Sequence, residues 1–139
     1  MLSGSKTGLS GVVLVADDEP SVLRSVACIL RYAGYTVLEA ASAEVALCLG
    51  RGYEGAIDLL LADVLMPRMN GAALADRFAA LHPETRYLFM AGLPNHPEVV
   101  AGVLERGRPF LPKPFPLQQL LQRVAEVLVD RTLAAKSGR

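Results

Sequence analysis

A chain of 139 residues with 14 basic and 14 acidic side chains carries no net formal charge, and its basic residues are scattered, which argues against a nucleic-acid footprint. At this length one domain is expected, burying roughly two thirds of its extended surface on folding. Met1 to Gly8 lacks the apolar core of a signal peptide and no uninterrupted apolar run could span a bilayer, so a soluble, cytoplasmic protein is expected.

Short β-branched or leucine-rich runs alternate with stretches of helical spacing, the pattern of a parallel sheet covered by helices on both faces. The first strand is expected from about Gly11 to Ala16. Pro20 then starts a helix where a missing N–H costs least, with Val22, Leu23, Val26, Ala27, Ile29 and Leu30 turned inward and Gly34 as its left-handed cap. A second strand runs from about Tyr35 to Glu39. Ser42 caps a helix from Ala43 to about Gly50 that buries Val45, Ala46 and Leu47. The cysteines, Cys28 and Cys48, fall inside these two helices and are expected as small buried hydrophobes.

The third strand, Ile57 to Ala62, is nearly all apolar and belongs in the middle of the sheet. Asn70 caps the next helix, which carries Leu74, Ala75, Phe78 and Leu81 and ends before Pro83. Tyr87 to Ala91 is the fourth strand. Pro94 and Pro97 delay a further helix to roughly Glu98–Glu105. Phe110-Leu111 makes a short fifth strand, and Pro116 opens a last helix with Leu117, Leu120, Leu121, Val124, Val127 and Leu128 as its stripe. The ends, Met1 to Leu9 and Ala134 to Arg139, are expected to fray.

Three strands end at charge. Val12 to Ala16 runs into Asp17-Asp18-Glu19, Ile57 to Ala62 into Asp63, and Phe110-Leu111-Pro112 into Lys113. Groups at the carboxyl ends of neighbouring parallel strands meet in one crevice. Read singly, each acid is an ordinary helix-dipole partner or turn former, and Lys113 an ordinary surface lysine. Read together, crowded carboxylates repel unless a cation neutralises them, and magnesium suits an all-oxygen site that leaves room for a phosphate. A metal and an ammonium group can then share the charge neutralisation that phosphoryl transfer demands. Arginine far outnumbers lysine in this chain, which singles Lys113 out further. Pro112 and Pro114 restrict the backbone around it, while Pro67 and Gly71 stiffen and tighten the loop after Asp63.

The motifs Val15-Ala16-Asp17-Asp18-Glu19-Pro20, Leu61-Ala62-Asp63-Val64-Leu65-Met66-Pro67 with Asn70-Gly71, and Phe110-Leu111-Pro112-Lys113-Pro114-Phe115 resemble, in this order and spacing, the receiver domain of two-component response regulators. The resemblance runs from about Gly11 to Val129, giving one receiver domain over residues 1–139 with flexible ends. It implies a doubly wound five-stranded parallel sheet of flavodoxin-like order 2-1-3-4-5. It implies that Asp63 accepts a phosphoryl group from a phosphohistidine on a histidine kinase or phosphotransfer protein, forming an acyl phosphate. Asp18 would be a direct Mg2+ ligand, Asp17 would act mainly through metal-bound water, and Leu65 would offer its backbone carbonyl. Lys113 would pair with phosphoryl oxygens and Phe110 would stand in the place of the aromatic switch.

Ala91 departs from the family, which usually carries Ser or Thr after the fourth strand. The departure opens an alternative, an interaction module of the same fold that signals without phosphate. A phosphohydrolase would need a general acid and a substrate-holding insertion, and a dinucleotide binder a glycine-rich first turn; neither is seen. His82 and His96 lack metal-ligand spacing and read as capping or surface residues. Met66, Met69 and Met90 read as packing, and Arg106 and Arg108 as solvated. The wording of Leu88 to Gly92 and Phe110 to Phe115 is similar to receivers attached to hybrid histidine kinases. A slow self-phosphorylating and dephosphorylating chemistry is expected, not that of a true enzyme. Dimerisation and the downstream partner stay open.

Overall fold

A computed structural model describes residues 10–92 and 109–136, with side chains through residue 129. In chain order the elements are β1 (Val12–Ala16), α1 (Pro20–Tyr32), β2 (Thr36–Ala40), α2 (Ala43–Gly52), β3 (Leu59–Asp63), α3 (Gly71–Leu81), β4 (Arg86–Gly92), β5 (Phe110–Lys113) and α4 (Leu117–Lys136). All strand pairs are parallel and the order is β2-β1-β3-β4-β5.

Alternation along each strand feeds two cores. Val13 and Val15, Leu59 and Leu61, Leu88 and Met90, and Leu111 join Leu23, Val26, Ala27 and Leu30 of α1 and Leu120, Val124 and Val127 of α4. Leu14 and Ala16, Leu60 and Ala62, and Phe89 and Ala91 join Ala43, Ala46 and Leu47 of α2 and Leu74, Ala75 and Phe78 of α3. β3, buried at every residue, separates the two layers. Each fully buried Leu or Phe there contributes about 1.5–3 kcal/mol relative to exposure.

The local signals act as expected. Pro20 is the first helical residue of α1. At its other end the Tyr35 N–H donates to the Leu30 carbonyl and the Gly34 N–H to that of Arg31, with Gly34 at φ +114°, a Schellman cap. Ser42 Oγ accepts from the Val45 N–H at 3.1 Å and Asn70 Oδ1 from the Ala73 N–H at 2.8 Å. α3 ends at Leu81, before Pro83.

Several expectations need correction. Cys28 and Cys48 are exposed, and Val45 is 43% exposed. The inward stripes are Leu23, Val26, Ala27 and Leu30 on α1 and Ala43, Ala46, Leu47 and Gly50 on α2, so these three residues point away by helical phase. β5 continues through Pro112 to Lys113, because an edge strand tolerates proline where its missing N–H faces outward. β3 includes Asp63, α2 extends to Gly52, and Pro116 precedes the last helix, which begins at Leu117. α4 extends to Lys136, past the expected frayed point at Ala134. The expected helix at Glu98–Glu105, His96, Arg106, Arg108 and the end Met1 to Leu9 lie outside the described residues. Among the described residues no helix is long and apolar enough to cross a membrane.

α2 and α3 meet at a glycine. A Cβ on Gly50 would lie 2.6 Å from the Phe78 ring, so only a bare backbone lets the two helices approach. His82, the C-cap of α3, stacks on Phe78 with centroids 5.4 Å apart and donates from Nε2 to the Gly50 carbonyl at 2.8 Å. That contact fixes the carboxyl end of α3 against α2.

Candidate functional site

β1, β3 and β5 deliver their carboxyl ends to one edge of the sheet. The Asp17 N–H donates to the Ala40 carbonyl, extending the β1–β2 ladder by one residue, and Asp63 closes β3 opposite Met90. Lys113 is the last residue of β5, opposite Gly92. Its Nζ donates to Asp17 Oδ2 at 2.9 Å and to Asp63 Oδ2 at 2.8 Å, joining residues 96 and 50 positions away in sequence. The Lys113–Pro114 bond is cis.

The other oxygen of each of these two carboxylates is held by backbone. Asp17 Oδ1 accepts from the Glu19 N–H at 2.9 Å, and Asp63 Oδ1 accepts from the Leu65 N–H at 3.0 Å. These turns fix both rotamers. Asp17 is wholly buried and Asp63 nearly so, whereas Asp18 is exposed at the mouth. One oxygen from each of Asp17, Asp18 and Asp63 falls in a group no more than 4.8 Å across. Three carboxylates against one ammonium leave a formal excess of two negative charges.

Burial, first of all, raises the Asp63 pKa above its ordinary value, and the Asp17 charge pushes the same way. The Lys113 ammonium and the Leu65 N–H pull it back without cancelling the rise. For Lys113, burial acts downward, but hydrogen bonds and attraction to Asp63 and Asp17 outweigh it and leave the pKa raised. The lysine is therefore a fixed cation.

The loop after Asp63 is held to its strand. The Val64 N–H donates to the Met90 carbonyl and the Gly71 N–H to the Val64 carbonyl, both at 2.8 Å. Gly71 is needed for space: a Cβ there would lie 2.5 Å from the Asp63 carbonyl oxygen. Between them Arg68 takes φ +68° within a three-residue turn closed by the Met69 N–H on the Pro67 carbonyl. Ala91 is buried on β4 beside Pro112 of β5, and Phe110 is half-buried against the core layer that contains Ala91. Thus Asp17, Asp18, Asp63 and Lys113 are gathered, while Ala91 and Phe110 line the neighbouring core. The amides of Glu19 and Leu65, which hold the carboxylates, went unnoticed in the sequence because every residue offers an N–H.

The family model for the response regulator receiver domain matches residues 13–125. The chain belongs to that family. This receiver domain is 36% identical over 127 residues to the sensor kinase CckA of Brucella abortus (strain 2308), covering 91% of the chain and 13% of that protein. It is 32% identical over 116 residues to the response regulator MprA of Mycobacterium ulcerans (strain Agy99), covering 84% of the chain and 49% of that protein. The crystal structure of the receiver domain from the hybrid histidine kinase CckA matches it with a TM-score of 0.71 at 35% identity, over 85% of this chain and 99% of that one. The receiver spans about half or less of the length of the curated relatives it matches.

Proposed function

We propose that this receiver accepts a phosphoryl group on Asp63 from a phosphohistidine of a histidine kinase or phosphotransfer protein, and that phosphorylation switches its binding to a downstream partner. One Asp63 carboxylate oxygen forms the new P–O bond as the donor's P–N bond breaks, and the electron pair of that bond stays on the imidazole nitrogen. Lys113, already 2.8 Å from Asp63 Oδ2, is within reach of the incoming phosphoryl oxygens. The donor set fits Mg2+: Asp17, Asp18 and Asp63 supply hard oxygens, and the Leu65 carbonyl would complete the protein ligands. Bound there, the ion would offset the formal negative excess and the charge on the phosphoryl oxygens. The cytoplasmic location and the kinase or phosphotransfer partner belong to the same proposal.

The single observation that carries this reading is the Lys113 bridge between Asp17 and Asp63, with Asp18 at its mouth. Its test is intact mass after treatment with magnesium and a small-molecule phosphodonor. Wild type is expected to gain one phosphoryl group and Asp63→Asn none. No gain on wild type, or an equal gain on Asp63→Asn, would overturn it.

Ala91 favours a second reading, an interaction module that signals without phosphate, because a buried methyl group donates no hydrogen bond. An unphosphorylatable Asp63→Asn chain that binds its partner as tightly as phosphorylated wild type would select that reading.

A further inference from the structure

Among the described residues the sheet has two open edges, at β2 and β5, and they are blunted in different ways. Backbone groups of a parallel strand point alternately to its two sides. On β5 the Phe89 N–H donates to the Pro109 carbonyl, which by alternation turns the backbone of Phe110 and Pro112 outward. Pro112 has no N–H to offer there, so that edge is disabled covalently. On β2 the Thr36 N–H donates to the Gly11 carbonyl and the Ala40 carbonyl accepts from Asp17, so Thr36, Leu38 and Ala40 face β1 while Val37 and Glu39 face outward. No proline interrupts this strand.

Arg31 occupies that edge instead. From the last turn of α1 its Nη2 donates to the Val37 carbonyl at 3.0 Å and its Nη1 to Glu39 Oε2 at 2.6 Å. One guanidinium thus covers an outward acceptor and ties down the side chain of the other outward residue. The pair is half-exposed, so as a salt bridge alone it adds little to stability. Its position is the informative part.

We propose that Arg31 is an edge guard that stops β2 from pairing antiparallel with β2 of a second copy of this chain. The edge is self-complementary. A two-fold axis through Leu38 would set Val37 opposite the other copy's Glu39, each pair exchanging two backbone hydrogen bonds, four in all. The two Leu38 side chains, each half-buried, would meet at the close, non-hydrogen-bonded position. The first bond of that ladder needs the Val37 carbonyl, which Arg31 occupies.

The test compares wild type, Arg31→Ala and Arg31→Ala/Glu39→Pro by sedimentation velocity over a concentration series, with amide exchange at Val37 and Glu39 read by NMR. Proline at 39 removes an outward N–H and leaves the β1 ladder intact. Arg31→Ala is expected to self-associate at least ~10-fold more tightly than wild type, with slower exchange at both amides as concentration rises, and the double variant to return to wild-type behaviour. Arg31→Lys keeps a charge near Glu39 but reaches one acceptor at a time, and it serves for the comparison where Arg31→Ala does not fold. Unchanged self-association in the single variants, or an association that survives Glu39→Pro, would overturn the proposal.

Discussion

Replacing Gly71 by alanine puts a methyl group against the backbone of the residue on which the proposed chemistry depends. Its Cβ would lie 2.5 Å from the Asp63 carbonyl oxygen and 3.1 Å from both the Asp63 carbonyl carbon and the Val64 Cα. The shortest of these is about 0.9 Å inside ordinary contact, and all three partners are backbone in a buried strand end, so no side chain can swing away. Overpacking of this kind costs about 1–3 kcal/mol, and the better helix propensity of alanine at the first position of α3 returns about 0.5–1 kcal/mol. The expected net loss is about 0–2.5 kcal/mol in urea unfolding. Gly52→Ala is the matched control. It sits at the end of α2 with nothing within 4 Å of its Cβ and no positive φ, so the same substitution should stabilise by about 0.4–1 kcal/mol. Because Asp63 must shift to admit the methyl group, phosphoryl incorporation into Gly71→Ala should fall at least about tenfold while Gly52→Ala labels like wild type. A Gly71→Ala chain as stable as Gly52→Ala, with normal labelling, would refute the reasoning that the loop has no room to yield.

Three other substitutions or conditions probe the site. Lys113→Ala leaves the buried Asp17 and Asp63 without their shared ammonium and should cost about 2–4 kcal/mol in the absence of divalent ions, with magnesium recovering part of the loss in thermal melts. In the proposed transfer Asp63 must be ionised to attack, and its raised pKa means protonation would remove that nucleophile earlier on acidification than for an ordinary aspartate at 3.8. The rate of phosphoryl incorporation at limiting magnesium should therefore fall at a pH above 3.8, and the midpoint should move down as magnesium is raised; a profile flat down to 3.8 at limiting magnesium would contradict the burial argument. Ala91→Thr restores a hydroxyl, whose hydrogen bond to a charged phosphoryl oxygen is worth about 1.5–3 kcal/mol, so the phosphoryl lifetime or yield should rise by about tenfold or more. No change in lifetime, yield or partner affinity would show that position 91 does not face the phosphoryl group.

What the sequence disclosed and what it hid follow one division. Asn70, Ser42 and Gly34 act through their own short side chain or lack of one, on backbone within a few residues, and each was legible. The gathering of Asp17, Asp18, Asp63 and Lys113 into one candidate site was legible for a less local reason. Parallel winding brings every strand's carboxyl end to one edge, so a charge placed after an apolar run reads as a site member even when its partner is 96 residues away. The contacts that escaped depend on distances between elements. Gly71 looks like a turn glycine until the Asp63 backbone is found beneath it, and His82 looks like a capping residue until its Nε2 meets Gly50 on another helix. Arg31 looks like any basic residue in a last helical turn, yet it lies across the open edge of β2. Cys28 and Cys48 were misread for the opposite reason, because residue type was allowed to outweigh a phase that the stripes Leu23-Val26-Ala27-Leu30 and Ala43-Ala46-Leu47-Gly50 already displayed. Where helical phase and residue preference conflict, phase prevails, since one rigid helix cannot turn a single cysteine inward without turning its whole stripe out.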